Sequence, residues 1–293
     1  LLRSPSAPLI LKDPSPDMPT AGSLLSRRYG TALVTGAASG LGRALASALL
    51  QEELTVYGTS RQPDRPGRDE QVHFLPMEGA SAEAMDQFIR DQDALLNSVD
   101  ILINNSGHSL FGDWSRTPEA ELERLHYLLL VTPMRLIRAV LPGMRERRHG
   151  IVVNVSSVAA DLPLPYMAAY SSGKAGLSAL TRSLMLTEVD SGVCFVDFQP
   201  GDLRTRFNRN MERLDPLTRP EAGVFSRMER LLEASPGPET AAGDLMRALR
   251  KGRSGVVRSG GWFQTRMAPL GARLLPTRWL LGAIRRYYGL RKG

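Results

Sequence analysis

The sequence predicts an α/β fold built on one doubly wound parallel sheet in a single domain. Short runs rich in β-branched residues alternate with helical patterns along most of the chain, the rhythm of a sheet covered by helices on both faces. A glycine-rich turn joins the first of those runs directly to the first helix, as a strand-to-helix junction at a ligand site requires. The 293 residues, 42% hydrophobic and 23% charged, are enough for one core of this kind.

The expected strands are Thr31–Thr35, Thr55–Thr59, Val72–Leu75, Asp100–Asn104, Ile151–Ser156, Val193–Gln199 and Gly255–Arg258. Helical periodicity fills Leu41–Gln51, Ala82–Leu96, Pro118–Met144, Tyr166–Thr187 and Pro238–Lys251. Residues 204–236 mix charge, Met, Phe and Pro without that rhythm and read as an insertion beyond the carboxyl ends of the strands, where ligands bind in such folds. Residues 1–28, rich in Pro and Ser and without the apolar core of a signal peptide, read as a disordered extension, with Met18 a candidate start. Residues 29–260 read as the folded domain and 261–293 as a basic, helical tail.

The net charge of +7 is unevenly placed. From Leu245 onward there are 12 Lys/Arg and no Asp or Glu, which leaves the rest of the chain at −5. The positive charge is therefore not a groove on the fold, and no nucleic-acid readout motif accompanies it. The lone Cys194 lies in an apolar strand, which excludes an intramolecular disulfide and suits a reducing, cytoplasmic setting. His73, His108 and His149 are scattered without metal-ligand spacing, so no metal is expected. No run of 18 apolar residues is present to span a bilayer.

The first turn reads TGAASGLG, placing Gly36, Ser39, Gly40, Leu41 and Gly42 between a strand and a helix. Glycines let the backbone approach a pyrophosphate, and the helix start offers unpaired N–H groups and positive dipole, so a Rossmann-type dinucleotide site is expected. Further on come NNSG at Asn104–Gly107, Ser157, a Tyr170–Lys174 pair and PGDLRT at Pro200–Thr205. These motifs, in this order from about Tyr29 to Gly260, resemble the short-chain dehydrogenase/reductase family. The resemblance implies that Asn105, Ser106 and Gly107 border the cofactor, with Ser106 in place of the usual Ala. It implies too that Pro200 and Gly201 open the segment flanking the nicotinamide and that Thr205 reaches its carboxamide. Glu78 stands where many members use an Asp near the adenine.

The end of the second strand selects the cofactor. An acid there accepts from the ribose 2′-hydroxyl and repels a 2′-phosphate. This chain has Ser60 followed by Arg61, with Arg65 and Arg68 nearby, which favours NADP(H) over NAD(H) through charge-assisted pairing.

Reducing a carbonyl by hydride builds negative charge on oxygen, so the site needs a proton donor. Tyr170 and Lys174 are four apart in a helical pattern and share one face. An adjacent ammonium lowers a tyrosine pKa from near 10 and makes it a workable acid and base. By resemblance, Lys174 also binds the nicotinamide ribose. Ser157, thirteen residues before Tyr170, holds the place of the serine that orients the substrate oxygen, in preference to Ser156; Tyr166 lacks a lysine partner. Many family members carry a catalytic Asn where this chain has Leu129, four residues before Pro133. That departure keeps open an alternative, a catalytically weak NADP(H)-binding sensor or interaction protein, and His126 is one turn away.

Leu110, Phe111, Leu162, Pro163, Leu164, Tyr166, Met167, Phe207 and Met211 read either as a pocket wall, an apolar lining that suits a hydrophobic alcohol or carbonyl, or as ordinary core. In the tail, Trp262, Phe263, Met267, Leu270, Leu274 and Leu275, then Trp279, Leu280, Ala283, Ile284, Tyr287 and Tyr288, recur at helical spacing with arginines between them, and Pro276 separates two short helices. Two readings stand: peripheral contact with a membrane interface, or a cap on the substrate entrance or another subunit. The family resemblance implies a homo-oligomer, a dimer or tetramer.

Overall fold

The computed structural model describes residues 25–64, 69–205 and 211–290. The expectations for residues 1–24, Arg65, Arg68 and Phe207 lie outside them. Among the described residues nine strands form: β1 (Thr31–Val34), β2 (Thr55–Ser60), β3 (Val72–Pro76), β4 (Ile101–Asn104), β5 (Leu110–Phe111), β6 (Gly150–Val155), β7 (Val193–Pro200), β8 (Glu212–Arg213) and β9 (Gly255–Ser259). Seven of them make one parallel sheet in the order β3-β2-β1-β4-β6-β7-β9. Each long strand lies within one residue of its sequence expectation at either end.

The alternation of side chains along each strand builds two apolar layers. Ala32, Val34, Ile101, Ile103, Ile151, Val153, Val196 and Phe198 point to one face, where α1 (Gly40–Gln51) and the helix Pro238–Leu249 cover them. Leu33, Leu102, Val152 and Phe195 point to the other, under α2 (Ala82–Asp91), α3 (Asp93–Ser98), α5 (Thr132–Glu146) and α6 (Ala168–Thr187). Strand order reverses between β1 and β4, so the glycine turn after β1 and the NNSG segment after β4 face each other across the crevice where ligands bind in doubly wound sheets.

Four features differ from the sequence expectation. The helix expected over Ala82–Leu96 is two, broken at Gln92 (φ −108°, ψ 19°) between Asp91 and Asp93; aspartate is a poor helix-interior residue. The helix through Glu119–Glu146 contains a π turn, Tyr127–Val131, between α4 (Glu119–His126) and α5. Pro133 has no N–H to offer the Leu129 carbonyl, so the ladder slips there. This 28-residue stretch has the length and mean hydropathy of a membrane span, but Leu125, Leu129, Leu136, Ile137 and Val140 are spent in the core. Within residues 204–236, a helix runs over Arg219–Glu233, opened by a capping box in which Thr218 and Glu221 bond reciprocally. The folded body also starts earlier than Tyr29: Leu25 is buried, its N–H donates to Glu52 Oε2 at 2.8 Å, and Tyr29 stacks on His149.

Candidate active site

The glycine turn is locked by its neighbours. Gly36 has φ +68°, a conformation L side chains rarely adopt. A Cβ on Gly42 would stand 2.2 Å from the Gly36 carbonyl oxygen and 2.5 Å from Asn105 Nδ2. Asn105 donates from Nδ2 to the Thr35 carbonyl at 2.8 Å, and Thr35 Oγ1 accepts from the Asn105 and Ser106 N–H groups at 2.9 Å each. The ends of β1 and β4 are thereby stapled together. Ser39 precedes α1 in an extended conformation with no side-chain cap, which leaves the first-turn N–H groups turned to the cleft, the arrangement that holds a phosphate. Ser39, Gly40, Leu41 and Gly42 line this cleft with Ser106 and Gly107.

Ser60, Arg61 and Glu78 line its far end. Arg61 is exposed, Ser60 Oγ accepts from the Gln62 N–H at 3.1 Å, and Glu78 Oε1 accepts from the Ala80 N–H at 3.1 Å. At the near end the Gly201 N–H donates to the Ser259 carbonyl at 2.7 Å, continuing β7 past Pro200. The Thr205 side chain stands 3.6 Å from the point a Cβ on Gly40 would occupy. A dinucleotide would find glycine where its backbone must come close and open donors at a helix start, with Arg61 at the far end of the cleft.

Ser157, Tyr170 and Lys174 meet at the carboxyl end of β6. Ser157 Oγ accepts from the Ala159 N–H at 3.0 Å and hydrogen-bonds the Tyr170 hydroxyl. Lys174 Nζ lies 5.9 Å from the centre of the Tyr170 ring and donates to the Val155 carbonyl at 2.7 Å. Burial pushes the Tyr170 hydroxyl up to about 12, opposed by the Ser157 bond. Burial also pulls Lys174 down to about 8, opposed by the Asp197 carboxylate. The lowered tyrosine pKa expected from the sequence is not found here, because desolvation, joined by the Asp202 carboxylate, outweighs the Ser157 hydrogen bond.

Ser156 is turned the other way. Its hydroxyl donates to Asp197, a fully buried carboxylate that also accepts from Ser178 Oγ at 2.5 Å and Gln199 Nε2 at 3.0 Å. Arg182 Nε stands 3.5 Å from the same group. No local pattern in the sequence marks this network, since its members come from the residue after β6, from α6 and from β7. Leu129 is buried with its Cβ against Gly173 of α6. His126 Nε2 lies 2.8 Å from Ser172 Oγ and its Nδ1 2.8 Å from the Leu122 carbonyl oxygen, so it serves the α4–α6 contact.

The cleft continues into a cavity of about 1850 Å³ in all, beyond the roughly 300–1,000 Å³ of a single-ligand pocket. Leu162, Pro163, Leu164, Met167 and Met211 line it, as expected. Leu110 and Phe111 instead belong to the core, and Tyr166 (φ +59°) packs on Phe111 away from the lumen. Met228 and Leu232 of the helix Arg219–Glu233, which were not expected there, add to the wall, and so does the tail, as the cap reading has it.

The tail folds as a π turn, Phe263–Met267, and helices Ala268–Leu274 and Thr277–Tyr287. It packs over the cavity. Ile284, Tyr287, Tyr288 and Leu290 join Phe111, Met167, Phe225 and Met228 in one cluster, and the Arg227 guanidinium donates to the Tyr287 carbonyl. Gln264 bonds Asp202 twice: its Oε1 accepts from the Asp202 N–H at 3.0 Å and its Nε2 donates to Oδ2 at 2.6 Å. Burial raises the Asp202 carboxyl, opposed by that amide.

A doubly wound sheet with this turn, serine, tyrosine and lysine defines a nucleotide-dependent oxidoreductase of short-chain type. The family model described as short chain dehydrogenase matches residues 30–215, and the chain belongs to that family. It is 31% identical over 276 residues to the 3-ketodihydrosphingosine reductase of Bacteroides thetaiotaomicron, covering 88% of this chain and 98% of that protein. It is 32% identical over 184 residues to the 3-oxoacyl-[acyl-carrier-protein] reductase FabG of Vibrio cholerae, covering 59% and 73%. A short-chain dehydrogenase from Streptomyces avermitilis superposes with a TM-score of 0.75 at 29% identity, covering 91% of this chain and all of the other.

Proposed function

We propose that the protein interconverts a hydrophobic, long-chain alcohol and its ketone with NADP(H), Tyr170 acting as acid and base. Residues 29–260 are the catalytic unit and 261–293 its tail. The observation that carries this reading is the Ser157–Tyr170–Lys174 group where a phosphate-cradling cleft meets an apolar cavity. Bound NADPH supplies the hydride. The chain's residues do the rest: Ser157 and Tyr170 hold the carbonyl oxygen, Tyr170 gives it a proton, and Lys174 supports the phenolate left behind. In the oxidative direction each proton moves back. The long-chain keto substrate is drawn from the cavity's apolar wall and from similarity to a reductase named for 3-ketodihydrosphingosine. The test is NADPH oxidation with 3-keto lipids of increasing chain length, with turnover expected to rise with length.

Arg61 is assigned to the 2′-phosphate. Arg61→Ala should weaken NADPH by about 1.5–3 kcal/mol, the range for a charged hydrogen bond, and barely change NADH. Equal weakening of both in a fluorescence titration would make Arg61 a structural residue.

The pH dependence follows from Lys174. Its ammonium, present below about 8, supports the developing phenolate, while Tyr170 keeps its proton up to about 12. Reductive turnover should therefore be level below pH 8 and fall above it. A kcat profile flat to pH 10 would detach Lys174 from the chemistry.

A further inference from the structure

We propose that the tail seats the protein on an anionic bilayer and that the cavity opens within that seat, so that a lipid substrate slides from the leaflet to Tyr170. This rests on the long-chain reading above for the substrate, though not for the seat.

The tail has two apolar faces, and the fold uses only one. Ile284, Tyr287 and Tyr288 are packed on the cavity cluster. The other face is uncovered: Trp262, Leu274 and Trp279 are 70%, 71% and 63% exposed, with Leu270, Leu275 and Leu281 beside them. So many large apolar side chains gathered in one short segment mark a docking surface.

Charge and residue type select its occupant. Arg266, Arg278, Arg285 and Arg286 are exposed on the same segment, and no acidic residue occurs from Leu245 to the end. Tryptophan with arginine, on short helices lying along a surface, is the composition of the bilayer interface. Anionic headgroups complement this charge.

The position of the opening ties the seat to the chemistry. Phe263, Met267, Leu270 and Leu274 are exposed and also line the cavity that contains Tyr170 and Lys174. The lumen thus reaches the surface among the side chains that would enter the interface. An alkyl chain passing between them stays in apolar surroundings from the leaflet to the catalytic end, and its transfer incurs no exposure to water.

The test uses the full chain and the double variant Trp262→Ser/Trp279→Ser, whose two side chains are exposed and stand outside the cavity wall. The full chain should float with phosphatidylcholine vesicles containing phosphatidylglycerol. It should float at least ten-fold less with phosphatidylcholine alone, and high salt should release it. The double variant should lose flotation, keep its rate on a short, water-soluble 3-keto ester, and lose at least ten-fold in rate on a long-chain ketone carried in anionic vesicles. A full chain that stays soluble at low salt overturns the seat, as does a surface that instead buries a second copy, seen as a dimer that the double variant dissociates. Flotation lost with the vesicle-borne rate retained overturns the opening. Failure of wild-type protein to turn over any ketone would refute the enzymatic reading and leave the flotation result standing.

Discussion

Tyr170→Phe should lower turnover by about 10²–10⁴-fold, the usual contribution of a positioned acid, and leave dinucleotide binding within about two-fold. The half-buried ring packs from α6 against two apolar clusters, and phenylalanine refills that space. Only the hydroxyl is lost, and Ser157 Oγ keeps its bond from the Ala159 N–H. The fold therefore has little reason to move. Lys174 stays on the Val155 carbonyl, so its position is unchanged. A fall in kcat with unaltered cofactor Kd would put the loss in the transition state. Unchanged turnover would move the proton transfer elsewhere; Tyr166, the nearest other phenol in sequence, packs on Phe111 and faces away from the lumen.

Gly42→Ala should damage both stability and cofactor affinity through a single methyl group. The added carbon would meet the Gly36 carbonyl oxygen at 2.2 Å and Asn105 Nδ2 at 2.5 Å. Neither neighbour can retreat: Gly36 is the turn itself, and Asn105 is held by the Thr35 carbonyl. Either α1 rises from the sheet or the staple between β1 and β4 opens. Overpacking of this kind costs about 3 kcal/mol, a fall in Tm of roughly 6–12 °C for a chain of this size. NADPH affinity should fall more than ten-fold as the helix start leaves its phosphate. A variant with unchanged Tm and Kd would show that the turn has slack the structure does not display.

The parts legible in the sequence are those encoded over a few residues. Each long strand is a short β-branched run closed by a turn, and the glycine motif, Ser157 and the Tyr170–Lys174 pair are local spacings that the fold brings to one cleft. The helix Arg219–Glu233 was not read, although the Thr218–Glu221 capping box and the helical spacing of Val224, Phe225 and Met228 signal it, because the surrounding Pro and charge masked it. What could not be read depends on distant partners. Phe111 reads as pocket wall until β5 pairs with β8 and draws it into the core. Asp197 lies inside an expected strand, and nothing local in the sequence brings Ser156, Ser178 and Gln199 around it. Tail periodicity reveals amphipathic helices, but the surface they cover is set by Gln264 and Tyr288 meeting residues some 60 positions or more away.

The pair of hydrogen bonds between Gln264 and Asp202 ties the tail to the loop after Pro200, so a force on one can reach the other. Ligands acting on two ends of such a link are obliged to report on each other: the factor by which one changes the other's affinity is the same in both directions. A surface that draws the tail outward would loosen whatever the loop grips, and a dinucleotide that tightens the loop would hold the tail down by the same factor. Gln264→Ala should cut that exchange of influence while leaving each ligand its own contacts. The cofactor would then become a tenant whose hold no longer depends on where the tail rests.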